Sequence, residues 1–128
     1  MIEVVAAIII NNENKILIAK RKLSLKFGGL WEFPGGKVEK GEAYEDTVIR
    51  ELKEEMDIDI KVVKYFGETI SNAKDKFIKL IGFKCIIING YINLTDHDEY
   101  KLVSKNELIN YKFTPADKYF VYKLIDEN

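Results

Sequence analysis

Apolar positions fall into blocks whose spacing changes along the chain. Residues 4–10 (Val-Val-Ala-Ala-Ile-Ile-Ile) form a continuous apolar run, and after the polar turn Asn11-Asn12-Glu13-Asn14 apolar residues resume at Ile16-Leu17-Ile18. Two short runs about a polar turn predict a hairpin of buried strands. Residues 22–30, with Gly28-Gly29 among them, predict a loop. Trp31-Glu32-Phe33 alternates as a short strand, which Pro34-Gly35-Gly36 stops. Residues 43–56 contain no glycine or proline, and Tyr44, Val48, Leu52 and Met56 recur at every fourth position, predicting an amphipathic helix. Two β-rich runs follow, 58–70 and 77–88, joined by the polar stretch Ser71-Asn72-Ala73-Lys74-Asp75. Asn89-Gly90 is a strong hairpin signal, so residues 91–94 are expected to fold back antiparallel, with one more strand at 100–103. Ser104-Lys105-Asn106-Glu107 fits a capping box opening a short helix. Thr114 and Pro115 read as the cap and first position of a closing helix lined by Tyr119, Phe120, Val121 and Leu124. The elements add up to an α+β fold, a mixed sheet with helices packed on it, as a single domain over residues 1–128.

Composition narrows the classes. Hydrophobic residues make up 47% and charged residues 32% of the 128 positions, enough to fill one core. Twenty Lys plus Arg against 21 Asp plus Glu leave a net charge of −1. A general nucleic-acid binder needs a surplus of cations, so that class is excluded. Cys85 is the sole cysteine, so neither an intrachain disulfide nor a cysteine-cluster metal site can form. Its apolar neighbours predict a packed core thiol. The apolar run 4–10 has only Glu3 in front of it where a signal peptide has cations, and it is too short to cross a bilayer. A cytoplasmic protein without membrane partners is the expectation, as a monomer or homodimer.

The chemistry concentrates in residues 35–58. At about 100° per residue, Glu51, Glu54 and Glu55 fall within an arc of about 100° on the helix, beside the stripe of Val48 and Leu52. Three like charges repel one another, and they sit in the last turns, where the helix dipole disfavours anions. Asp57 adds a fourth acid. A solvated acidic face, with Arg50 and Glu54 an ordinary ion pair, is one reading. The other is a bound cation that relieves the repulsion: oxygen ligands without His or Cys suit a hard ion, Mg²⁺ or Mn²⁺. The glycine turn leading into the helix, flanked by Arg21 and Lys37 as phosphate partners, favours the cation and phosphoryl chemistry.

Gly36, five residues, Glu42, seven residues, then Arg50-Glu51-Leu52-Lys53-Glu54-Glu55-Met56-Asp57-Ile58 resembles the Nudix box. The match departs at one position, where Asp57 replaces the final glycine. That glycine would serve a left-handed helix exit, which Asp adopts at modest cost. Trp31-Glu32-Phe33-Pro34-Gly35-Gly36-Lys37 before the box and Thr114-Pro115-Ala116-Asp117 near the end resemble the MutT-like branch. The resemblance implies an α/β/α sandwich with a mixed sheet and a loop-helix motif. It implies a Mg²⁺-dependent pyrophosphohydrolase that cleaves a nucleoside triphosphate, normal or oxidised, to the monophosphate and pyrophosphate, with a role in nucleotide-pool sanitation and DNA repair. Hydrolysis of another nucleoside diphosphate derivative, or a silent nucleotide-binding module, are the alternatives.

Carried over by position, Glu51, Glu54, Glu55 and the carbonyl of Gly35 are metal ligands, Glu51 a base and Arg50 its orienting partner. Asp96, Asp98 or Glu99 could serve instead as base or further ligand. Arg21, Lys37, Phe33, Ile78 and Asp117 are the substrate contacts, with Asp117 facing the base edge. An ionised carboxylate only accepts, so Asp117 would favour an amino group or ring N–H, such as cytosine N4 or the N7–H of 8-oxoguanine. Asp117 also fits a plain helix-start role, and Phe33 and Ile78 also fit the core. His97, in Thr95-Asp96-His97-Asp98-Glu99, is expected to be a solvated loop residue.

Overall fold

The first strand, β1 (Ile2–Ile9), is apolar at every position but Glu3, and the fold uses both of its faces. A strand presents successive side chains to opposite sides, so an all-apolar strand is stable only when covered on both. In the computed structural model, which describes residues 1–73 and 76–127, Val5, Ala7 and Ile9 enter one core with Val48, Leu52 and Met56. Ala6 and Ile8 enter a second core with Phe120, Val121 and Leu124. In β2 (Ile16–Arg21), Leu17 and Ala19 join the first core and Ile16 and Ile18 the second. Helix α1 (Tyr44–Met56) closes one side of the sheet layer. Helix α2 (Lys118–Asp126) and a 3-10 helix (Lys105–Asn110) close the other. The result is the expected α/β/α sandwich.

Five further strands complete the layer: β3 (Trp31–Glu32), β4 (Gly35–Lys37), β5 (Asp59–Ala73), β6 (Lys76–Asn89) and β7 (His97–Val103). They form a four-stranded sheet in the order β4-β1-β6-β5 and a three-stranded sheet in the order β3-β2-β7. Among these strands β1 and β6 run parallel and the other pairs are antiparallel, so the larger sheet is mixed.

Several local expectations change in this frame. β1 and β2 are not a hairpin: they lie in different sheets, and their backbones are bridged at the turn by an isolated antiparallel pair, Ile10 and Ile16. Asn11 closes the turn, its side-chain oxygen accepting the N–H groups of Glu13 and Lys15, but β1 finds a longer partner in β6, from Ile2 opposite Ile78 to Ile9 opposite Cys85. Pro34-Gly35-Gly36 ends β3 but also opens β4, which pairs with β1. Gly35 is required there, because a Cβ would stand 1.9 Å from the Val5 carbonyl oxygen. Asn89-Gly90 makes no hairpin: Gly90 takes φ 93°, but the chain runs on and residues 91–94 form no strand. Their backbone serves α1 instead: Asn93 N–H donates to the Met56 carbonyl at 2.9 Å. A helix end leaves its last carbonyls without partners, and this segment supplies them. Ser71, Asn72 and Ala73 extend β5 rather than leaving it; Lys74 and Asp75, of the same polar stretch, lie outside the described residues. β7 begins at His97, ahead of the expected start. Thr114 belongs to a turn before α2, whose cap residue is Asp117, and its hydroxyl donates to the Asp117 carboxylate. The Ser104–Glu107 box forms as read, with Ser104 N–H donating to Glu107 Oε1 at 2.9 Å. Cys85 is a buried core thiol, pushed up to about 12 by burial. Among the described residues no helix is long and apolar enough to cross a membrane.

Candidate active site

One guanidinium organises the loop-helix motif. Arg50 projects from the middle of α1 and clasps Glu42 with two bonds, Nε to Oε2 at 2.7 Å and Nη2 to Oε1 at 3.0 Å. Its Nη1 reaches Glu51 Oε1 at 2.9 Å and Glu54 Oε2 at 3.2 Å, and Nη2 also donates to the Lys37 carbonyl at 3.2 Å. The planar fork suits this work, since it donates in several directions at once. Glu42 also accepts from the Thr47 hydroxyl at 2.8 Å, and Arg50 and Thr47 together pull its carboxyl down to about 2. The turn preceding α1 is thereby stapled to the helix. The fit is close: a Cβ on Gly36 would fall 2.2 Å from the Glu51 carboxyl carbon.

The three acids differ in depth. Glu54 is exposed, while Glu55 is buried and its Oε1 accepts the Gly35 N–H at 3.2 Å. Burial, and then the charges of Glu51, Glu32 and Asp96, push Glu55 up to about 9. Glu51 is raised as well, chiefly by burial, against the pull of Arg50. Among the described residues no three His, Cys, Asp or Glu side chains already converge on one point. Arg50 draws Glu51 and Glu54 to itself, and Gly35 holds Glu55. The donor set nonetheless suits a hard divalent ion: it offers oxygen only, and Glu55 is a buried carboxyl whose ionisation is opposed until positive charge arrives.

The helix end that carries these acids is tied to the approach to β7. Thr95 donates its hydroxyl to the carbonyls of Glu54 and Glu55 and its N–H to the Glu55 carbonyl, each at 3.1 Å. Asp96 follows directly, and its charge bears on both Glu51 and Glu55. Asp98 and Glu99 stand exposed on β7, with Glu99 4.0 Å from Lys101. Of the three loop acids, the fold brings Asp96 to the cluster.

A cavity of about 430 Å³ opens between the loop after β2, the ends of β5 and β6, and the start of the α2 turn. Arg21, Phe27, Glu32, Asn72, Ile78 and Thr114 are on its wall. Arg21 Nε donates to the Lys26 carbonyl at 2.9 Å and Nη1 to Glu32 Oε1 at 3.0 Å. Ile78 is half-buried. Phe33 lies beneath the wall in the core, stacked on Phe113 with ring centroids 5.3 Å apart. Lys37 is exposed on β4 and does not line this cavity; its carbonyl accepts from Arg50. Asp117 is buried just under Thr114 and Ala116. One of its oxygens takes the Phe33 N–H at 3.2 Å and the other the Thr114 hydroxyl. Burial pushes it up to about 7, against the Thr114 bond that lowers it.

Two residues of this region escape a reading of the sequence by segment. His97 is buried, not solvated: its Nε2 lies 2.9 Å from Glu32 Oε2. Glu32 was visible as the polar member of an alternating strand and within the MutT-like stretch, with no role of its own. That alternation did carry the signal, since a polar residue between buried Trp31 and Phe33 must face the opposite side.

Residues 1–127 match the family model described as the NUDIX domain. The CTP pyrophosphohydrolase of Escherichia coli K12 is 37% identical over 117 residues, 91% of this chain and 86% of that protein. The 8-oxo-dGTP diphosphatase of Proteus vulgaris is 37% identical over 82 residues, 64% of this chain and 73% of that protein. The solution structure of the E. coli ORF135 protein superposes with a TM-score of 0.86 at 34% identity, covering 98% of this chain and 89% of that one.

Proposed function

The chain belongs to the NUDIX family, and from that premise we propose that it is a MutT-like pyrophosphohydrolase that cleaves a nucleoside triphosphate to the monophosphate and pyrophosphate. The observation that carries the reading is the Arg50 clasp, which holds Glu51 and Glu54 to the glycine turn where Gly35 holds Glu55, near a cavity of about 430 Å³ whose wall residue Glu32 acts by charge on Glu55. Glu51, Glu54, Glu55 and the Gly35 carbonyl would hold Mg²⁺ or Mn²⁺. Such an ion neutralises phosphate charge and acidifies water when bound. Arg50 holds one oxygen of Glu51, leaving the other to accept the proton of the attacking water. Asp96 is the second candidate for that proton, on its proximity in charge to Glu51 and Glu55. Arg21 meets the nucleotide at the cavity wall and Ile78 packs against the base. Two relatives carry the names CTP pyrophosphohydrolase and 8-oxo-dGTP diphosphatase, and a base with an amino group or ring N–H would suit the remaining lone pairs of Asp117, whose oxygens already accept from Phe33 and Thr114 under the same wall.

The test is incubation with Mg²⁺ and a panel of CTP, dCTP, dGTP, 8-oxo-dGTP and methylated triphosphates, with products separated by chromatography. Monophosphate and pyrophosphate are expected, with turnover reduced about 10²–10⁴-fold in Glu51→Gln. Release of inorganic phosphate and a diphosphate, or full turnover in that variant, would sink the assignment.

A further inference from the structure

Glu32 is the one acid on the cavity wall among the described residues, and it is held from both sides. Its Oε1 accepts from Arg21 and its Oε2 faces His97 Nε2, at 3.0 and 2.9 Å. A carboxylate bonded at one oxygen still turns about its last torsion. Bonded at both, its plane is fixed, and so is the point from which it holds the guanidinium. Arg21 is further fixed through Nε by the Lys26 carbonyl.

His97 comes to this position by a break in the sheet. β2 and β7 pair in regular register through Lys20 opposite Glu99, and then the register shifts, so that Arg21 faces His97 and Asp98 is passed over. A bulge of this kind re-aims side chains next to a site. It turns the imidazole inward, where its side chain is 2% exposed and its Nδ1 has no hydrogen-bond partner among the described residues. A leucine would fill that space without an unpartnered nitrogen, which costs free energy in a core. The Nε2 contact to Glu32 is what the histidine adds.

We propose that His97 is a positioning residue for nucleotide binding: through Glu32 it sets the Arg21 guanidinium at the cavity wall, and so governs KM rather than kcat. This rests on the reading of the cavity as the nucleotide site. A glutamine amide places a nitrogen near the imidazole Nε2, so His97→Gln keeps the bond that His97→Leu removes.

The experiment compares wild type, His97→Leu, His97→Gln, Glu32→Gln and the His97→Leu/Glu32→Gln double variant. It measures kcat and KM for CTP and 8-oxo-dGTP, calorimetric Kd for the same nucleotides in EDTA, and thermal melting of each protein. His97→Leu is expected to raise KM and Kd about tenfold, with kcat within about twofold. His97→Gln is expected to recover most of the loss, and His97→Leu to add nothing in the Glu32→Gln background. Unchanged affinity in His97→Leu overturns the proposal. So do equal losses in the leucine and glutamine variants at equal melting temperature, or additive losses in the double variant. A wild-type protein that binds nucleotide without turnover would instead overturn the hydrolase reading, and the Kd series would still decide on His97. Absence of nucleotide binding would overturn both.

Discussion

Asp117 shows how much a single buried carboxyl depends on partners far along the chain. Its place at the start of the last helix was legible in the motif Thr114-Pro115-Ala116-Asp117. That one oxygen accepts an N–H from Phe33, 84 positions away, was not, because only the folded sheet brings the two together. Burial raises this carboxyl from the ordinary aspartate range to about 7. A raised acid binds protons more tightly folded than unfolded, so its contribution to stability is full below the unfolded value near 3.8 and is lost as pH rises towards 7. Asn keeps an acceptor for Phe33 and carries no charge. Melting measured across pH 4–8 is expected to show Asp117→Asn gaining on wild type as pH rises through that window; a pH-independent difference would contradict the raised carboxyl. Arg50 is a different case. Its pairings with Glu51 and Glu54 were foreseen, but its simultaneous hold on Glu42 and the Lys37 carbonyl needs the turn to be in place. Lysine has one nitrogen for five bonds, so Arg50→Lys is expected to reduce metal affinity or activity about 10–100-fold, read from a Mg²⁺ titration of turnover.

Helix α1 was the most legible segment, because an apolar stripe at every fourth position allows no other periodic reading, and the structure places Val48, Leu52 and Met56 fully inside. Its exit was legible too: Asp57 adopts φ 57°, ψ 37°, the left-handed conformation that the missing glycine would supply. Glycine has no Cβ to strain there. Asp57→Gly is expected to stabilise by about 1 kcal/mol, raising the melting temperature by roughly 3–6 °C, while forfeiting only the exposed contact to Lys53 at 3.5 Å. Glu54, exposed near the same negative helix end, has a stability cost and a proposed ligand role that oppose each other. Glu54→Gln is therefore expected to melt no lower than wild type while needing more Mg²⁺ for half-maximal turnover. Wild-type turnover at limiting Mg²⁺ would remove Glu54 from the ligand set. Strands were legible as strands but not as partners. The polar turn at 11–14 reverses the chain, but the following strand joins a different sheet, and at Asn89-Gly90 the chain runs on along the end of α1 instead of folding back. Turn residues fix local backbone direction, whereas pairing is chosen by the whole hydrophobic surface.

The two cores on opposite sides of the sheet layer meet the same constraint, that each strand must satisfy both. At Gly82, on β6, a Cβ would stand 2.6 Å from the Phe120 ring, so the close seating of α2 depends on the bare backbone there. Gly82→Ala is expected to overpack this contact and destabilise by about 1–3 kcal/mol, seen as a lower denaturation midpoint with kcat retained below it. Loss of kcat without loss of stability would show instead that α2 couples to the acids. The parallel pairing of β1 with β6 carries a further consequence for the chain as it is made. Residues 2–9 are synthesised well before their longer partner, which spans residues 78–85. Until that stretch clears the ribosome tunnel, the nascent chain carries an almost wholly apolar strand with only the three-residue β4 to pair with. Such a segment is a ready substrate for holding chaperones, and its release is timed by translation of β6 rather than by its own sequence.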